Sequence, residues 1–383
     1  MDKKSQKFKQ FSFSIISILM GIIISLLISE IALQVFNKSS NKYYVWPPYF
    51  KKVFQVRTEI IPGVYNDSIF LTNSEGMRGD EIPQANVNKI LAIGGSTTEC
   101  LYLDQKEAWP YLLQELLKKN PQINTYWIGN VARSARTSTE NYLQVKYLLE
   151  QYPDIKTVLL LVGVNDFLKR LKQDINYKPK DIMKLDNNDL NNAFEIVPKF
   201  SSYRDLELYK ILRNIYDAFK YKELIQDTSG EVYVKWRHNR QSASEIVNHL
   251  PDLNSSLTEY KNNLNYIANI TQKHGVRLIF ITQPSMWRNN LNQNQKKLLW
   301  MGGIGSNFKE VSGSKYYHIN ALAKGMDIYN KALIDVCKSR NLECIELDKM
   351  IPKDVSAFYD DVHFNENGAK LVANAIFVYL RNH

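Results

Sequence analysis

The chain has little cysteine: Cys100, Cys337 and Cys344 are the three among 383 residues. None forms a CxxC pair, which argues against a zinc ribbon or a dithiol redox centre. Cys337 and Cys344 are close enough in sequence to form a local disulfide; two buried thiols are the alternative. Neither GxGxxG nor GxxxxGK[ST] occurs, so a glycine-rich phosphate cradle has no support. No run interleaves basic and aromatic residues as a nucleic-acid face would, although the formal net charge is +10. Part of that charge lies in a basic amino-terminal tail. The remainder would favour anionic glycans or lipid headgroups, or is spread over a solvated surface. No internal repeat is visible. Asp360, Asp361 and His363 have no second ligand cluster to complete a metal site, so no metal or cofactor is expected.

What is present is an ordinary globular composition, 44% hydrophobic and 23% charged, long enough for one large domain with additions. One uncharged apolar run, residues 11–29, resumes beyond Glu30 as far as Phe36. That is about the length of a bilayer-spanning helix. Lys3, Lys4, Lys7 and Lys9 precede it, which predicts a cytoplasmic amino terminus and an exported remainder. A cleaved signal peptide is the competing reading, but no small-x-small site follows the run. The expected organisation is therefore a cytoplasmic tail (1–10), a transmembrane anchor (11–36), a linker and lead-in (37–83), and a domain (84–383) interrupted by an insertion (167–256).

From residue 90 onward, short apolar runs alternate with helical patterns. The strand candidates are 90–93, 126–128, 158–162, 278–282 and 344–347. The helix candidates are 109–119, 139–151, 257–273, 320–340 and 366–381. This alternation predicts a parallel sheet covered on both faces. Thr137 and Glu140 have capping-box spacing before the second helix, and Asn365 is placed to cap the last. Within the insertion, a helix is expected around 203–225 and a short strand near 231–236. Residues 283–314 read as a long loop, with Trp287 and Trp300 as a wall or lid over a site, or as ordinary packing. Arg78 in the lead-in either reaches a site or, the stronger reading, is one half of a structural salt bridge.

The chain is organised around residues 89–99, Lys-Ile-Leu-Ala-Ile-Gly-Gly-Ser-Thr-Thr-Glu. A buried strand ends in two glycines that permit a sharp turn. Ser96 and Glu99 again have capping-box spacing, so a helix starts there. Ser96 thus sits at the carboxyl end of a central strand, where open α/β sheets place small-molecule chemistry. A plain helix cap is the other reading.

Three further stretches follow in order: residues 130–137 (Asn-Val-Ala-Arg-Ser-Ala-Arg-Thr), 163–166 (Gly-Val-Asn-Asp) and 360–363 (Asp-Asp-Val-His). With Gly94-Gly95-Ser96 they resemble the four sequence blocks of the SGNH (GDSL-type) hydrolases. The lead-in 73–79, Asn-Ser-Glu-Gly-Met-Arg-Gly, is similar to that of anchored or exported members. The resemblance covers roughly 70–380, with the insertion unmatched. It implies a three-layer α/β fold of flavodoxin-like type. It implies Ser96 as nucleophile, His363 as base and Asp360 as the carboxylate that orients the imidazole. It also implies an oxyanion hole from the backbone N–H of Ser96, the backbone N–H of Ala135 and the Asn165 side chain. Ala132 and Ala135 stand where the family commonly has glycine, and Gly95 where the type pattern has aspartate. Arg133 and Arg136 would hold an anionic substrate or simply face solvent.

Elementary chemistry supports these types independently: a serine hydroxyl needs a base, histidine is poised for that near neutral pH, and a carboxylate three residues away can reach the imidazole. The expected function is hydrolysis of an O-acyl group, first an O-acetyl, on an extracytoplasmic glycan or lipid. The rivals are an O-acyltransferase of envelope polysaccharide and a non-catalytic glycan-binding or assembly protein with a degenerate site. The partners expected are the acylated glycan or lipid and the membrane, with no nucleic acid.

Overall fold

In this computed structural model, which describes residues 3–36, 42–84, 87–119, 126–198 and 229–383, the apolar runs marked by the sequence lie side by side in one sheet. The elements of the first half are α1 (Lys3–Phe36), β1 (Lys51–Phe54), β2 (Ser68–Leu71), β3 (Asn88–Gly94), α2 (Ser96–Glu99), α3 (Trp109–Lys118), β4 (Tyr126–Asn130), α4 (Ser138–Gln151), β5 (Ile155–Leu161), α5 (Val164–Gln173) and α6 (Asn187–Ala193). Those of the second are α7 (Glu231–Gln241), β6 (Glu245–Val247), α8 (Asn254–Lys273), β7 (Arg277–Ile281), α9 (Gln293–Lys297), β8 (Lys315–Tyr317), α10 (Ile319–Arg340), β9 (Glu343–Ile345) and α11 (Glu366–Asn382).

The helix α1 belongs to one unit; every other described element belongs to a second, residues 43–197 and 227–383. Along α1 the apolar side chains of Phe13, Ile18, Leu19 and Ile22 are exposed, as is Ile31. Among the described residues, no helix is long and apolar enough to cross a membrane.

In the second unit, β4-β3-β5-β7-β9 form a five-stranded sheet in that order, with every neighbouring pair parallel. Residues Ile90 to Ile93 are fully buried, as are Val158 to Leu160. Burial without alternation needs cover on both faces, the usual state of a parallel sheet. Two helix groups supply that cover: α3 packs on α11, and α8 packs on α4 and α10. The chain lays β4 on one side of β3 and then β5 on the other. That reversal opens a crevice beyond the carboxyl end of β3, the point where such sheets bind ligands.

All five expected strands and all five expected helices of the alternating region form, with boundaries shifted by a few residues. The helix expected at 203–225 lies outside the described residues. The strand expected near 231–236 is instead the start of α7. Val232, Tyr233, Val234 and Trp236 favour a strand by composition, but the buried residues are Tyr233, Arg237, Asn239 and Arg240, of which Tyr233, Arg237 and Arg240 have a helical spacing. Two members of that inward face are arginines, which hides its period. Cys337 and Cys344 are joined as a disulfide between the end of α10 and β9.

Candidate active site

At the carboxyl end of β3 the chain turns through Gly94 and Gly95 into α2. The capping box expected from Ser96 and Glu99 does not form. Gly95 is the N-cap, no side chain caps the helix, and Ser96 is its first residue. Glu99 is buried and accepts from the Ser134 hydroxyl instead. Among the described residues Arg78 makes no ion pair; its buried guanidinium donates to the carbonyls of Glu99, Cys100 and Leu103. A cation on the last carbonyls of a helix satisfies groups that lack intrahelical partners. Arg78 thereby fixes the segment that carries Ser96.

The Ser96 hydroxyl lies 2.8 Å from His363 Nε2, across 267 residues of chain. His363 Nδ1 lies 2.7 Å from Asp360 Oδ2. A carboxylate only accepts, so Nδ1 carries the proton and Nε2 is left to accept from serine. Asp360 is fully buried and well supplied with donors. Its Oδ1 accepts from the backbone N–H of Val362 and His363, at 3.0 and 2.8 Å, and its Oδ2 also accepts from Trp300 Nε1 at 2.8 Å. Burial pushes this carboxyl up, but the His363 ring and these bonds outweigh it and hold it below the usual range. The imidazole is packed as well as bonded. Tyr359 stacks on it at 5.5 Å between ring centres, and Tyr233 meets it edge-on at 6.5 Å.

Asn165, the second residue of α5, donates one amide hydrogen to Arg136 O at 2.9 Å, which leaves its other N–H available. A Cβ at position 95 would stand 2.2 Å from this amide nitrogen. Glycine there is what lets the Asn165 amide approach the turn carrying Ser96. Ala135 adopts φ +62°, a left-handed conformation that alanine takes at a cost of about 1–2 kcal/mol. The turn around Ala135 has therefore kept the backbone usually met with glycine, and its N–H with it. Among the described residues, the amides of Ser96 and Ala135 take no part in the backbone hydrogen bonds of loops and turns. Ala132 has no positive φ and needs no glycine.

These groups open on a cavity of about 800 Å³, lined by Ser96, Ala135, Asn165 and His363. Trp300 lines it as well, with its indole N–H on Asp360. Trp287 does not: it is fully buried and donates to Asp361 Oδ1 at 2.7 Å. Asp361 Oδ2 accepts from the backbone N–H of Trp300 and Met301, so this carboxylate staples the long loop rather than waiting for a metal. Burial first, then the charge of Asp360, pushes the Asp361 carboxyl up. Arg133 turns away from the cavity, pairs with Glu195 and covers the Trp46 ring. Arg136 does not line the cavity either; burial and then Arg133 lower its pKa.

Sequence reasoning missed Tyr233 and Trp236, which α7 brings to the cavity from the unmatched insertion. Trp236 lies against Trp300 at 4.5 Å. Arg237 and Arg240 hold α7 in place by donating to the carbonyls of Leu298, Tyr359, Met301 and Tyr317. The only signal was their spacing, because arginine does not look like a core residue.

A serine polarised by a carboxylate-held imidazole, in a cavity that Ala135 and Asn165 also line, is equipped for acyl transfer. A family model described as GDSL-like lipase/acylhydrolase matches residues 90–376, which include all of these groups. No curated protein matches the chain. Among solved structures, the chain is similar to the psychrotrophic esterase EstA from Pseudoalteromonas sp. (14% identity, 77% of this chain and 97% of that one, TM-score 0.37). It is also similar to the acetylxylan esterase Axe2 from Geobacillus stearothermophilus (13%, 77% and 95%, TM-score 0.40). A third is Est24, a carbohydrate acetylesterase from Sinorhizobium meliloti (9%, 77% and 99%, TM-score 0.40).

Proposed function

The chain belongs to the GDSL-like lipase/acylhydrolase family and is an SGNH-type esterase; on that premise we propose that it cleaves esters through an acyl intermediate on Ser96. The observation that carries this reading is the continuous line from the Ser96 hydroxyl through His363 to Asp360, at 2.8 and 2.7 Å.

The Ser96 Oγ attacks the ester carbonyl carbon while its proton passes to His363 Nε2. Asp360 keeps the imidazole in the accepting tautomer and stabilises the imidazolium that forms. The carbonyl oxygen gains a negative charge and is met by the N–H of Ser96, the N–H of Ala135 and the free amide hydrogen of Asn165. His363 then protonates the leaving alcohol. Water, deprotonated by the same ring, attacks the acyl-serine and restores the enzyme.

The substrate reading is an O-acyl group, foremost an O-acetyl, on an extracytoplasmic glycan; a lipid ester comes second. Its support is placement. The lysines and the apolar run of residues 3–36 have the pattern of a retained anchor with the domain outside. A disulfide between Cys337 and Cys344 suits an oxidising compartment.

The test is acetate release from O-acetylated envelope glycans by the purified full chain, with Ser96→Ala and His363→Ala beside it. Release by the wild type and its loss in both folded variants is the expected result. Wild-type turnover by Ser96→Ala would refute the mechanism.

A further inference from the structure

The cavity beside Ser96 contains a cation that the ester mechanism does not use. Lys309 lines this cavity. Its ammonium stands 4.3 Å from the centre of the Trp236 ring and 4.5 Å from that of Trp300. Among the described residues, no ion pair and no hydrogen bond of this ammonium is present. The ring faces attract it, since the centre of an aromatic face is electronegative. They do not neutralise it. Lys172 of α5 lines the same cavity, and the loop of Lys309 is tied to it through Gly305 N and Lys172 O at 2.9 Å.

Lys309 is half-buried, and an ammonium withdrawn from water without a counter-ion is costly to retain. Burial first and Lys172 second depress it to about 8, with Glu310 and Asp360 opposing. Glu310 is itself paired with Lys235, and Asp360 is committed to His363 and Trp300. Neither is free to serve as the partner. The platform is also joined to the catalytic line, because Trp300 touches Asp360 through its indole N–H and Lys309 through its ring. A charge held there faces whatever occupies the cavity.

We propose that Lys309, seated on Trp236 and Trp300 with Lys172 nearby, is a subsite for an oxyanion, a carboxylate or a phosphate, carried by the acylated substrate. The ester would then lie at Ser96 while the anionic group meets the ammonium on the wall. Lysine is a point charge that accepts either anion without the planar matching of arginine. This inference rests on the esterase reading of the site and deepens it.

The experiment compares kcat/KM of the full chain in detergent for O-acetylated glucose, O-acetylated glucuronate and O-acetylated glucose 6-phosphate. Wild type, Lys309→Met and Lys309→Arg are measured side by side. The expected result is a preference of about tenfold or more for one or both anionic esters, the order that one charged hydrogen bond supplies. Lys309→Met should lose that preference and Lys309→Arg keep most of it. Which anionic ester is favoured identifies the anion. An unchanged anionic-to-neutral ratio in Lys309→Met, or no wild-type preference, overturns the subsite while leaving the esterase intact. Absence of cleavage of all three esters, with no labelling of Ser96 by a fluorophosphonate, overturns the esterase reading and the subsite with it.

Discussion

Ala135 shows how a departure from a family pattern can leave chemistry in place. Its φ of +62° is one that glycine adopts freely, and the strain falls on the residue whose N–H is proposed as an oxyanion donor. Ala135→Gly should therefore gain up to about 1 kcal/mol of stability, the left-handed cost less the extra chain entropy of glycine. Urea unfolding checks this, and a loss of stability would show that the turn is not strained. Asn165 tests the same hole from its side-chain donor. Asn165→Ala should keep its fold and lower kcat by about two to three orders of magnitude with little change in KM. At this scale the sequence was legible where a residue's chemistry is its own: Ser96, Asn165 and His363 line the cavity, and Asp360 stands behind the imidazole. It was misleading where the partner lies far along the chain. The Glu99 carboxylate had the spacing of a cap, yet it goes to Ser134. Arg133 had the charge of an anion site, yet it goes to Glu195.

Between elements, Asp166 joins α4 to α5. It accepts from the Ser138 backbone N–H and from the Ser138 hydroxyl, at the first residue of α4. The Thr137–Glu140 capping box expected from the sequence forms beside it. Burial, opposed by the Ser138 bonds, raises the Asp166 carboxyl to about 7. The folded state then holds this proton at pH values where the unfolded chain has released it. Stability from this group is intact below about pH 4 and falls as pH rises toward about 7, by up to about 1.4 kcal/mol per unit. Asp166→Asn should flatten the slope of unfolding free energy against pH in that window. Identical slopes in the variant and the wild type would mean that Asp166 is ionised throughout. The strands and helices around the sheet were legible because their apolar spacing is regular. The helix α7 was not, since its inward face is built partly from arginines that bond to carbonyls, and hydrophobic periodicity cannot report such a face.

For the molecule as a whole, four blocks spread from Ser96 to His363 converge because β3, β4 and β5 deliver their loops to one rim of the sheet, and the segment before α11 meets them there. The order of the blocks was readable in the sequence. The cavity wall was not, because Tyr233, Trp236 and Lys309 come from the insertion and the long loop, where no pattern repeats. The proposed anchor makes its own prediction. The full chain should remain with membranes through alkaline carbonate extraction, and protease added from outside should digest the domain while sparing the amino-terminal tail. A domain protected from outside protease in intact spheroplasts would contradict export.

The most direct measurement is mass spectrometry of the full chain after reaction with a fluorophosphonate, paired with the turnover of Ser96→Ala on a simple acetyl ester. The account predicts a single adduct on the Ser96 peptide and a loss of turnover of about four orders of magnitude or more. An adduct on another residue, or turnover that survives without the Ser96 hydroxyl, would contradict it.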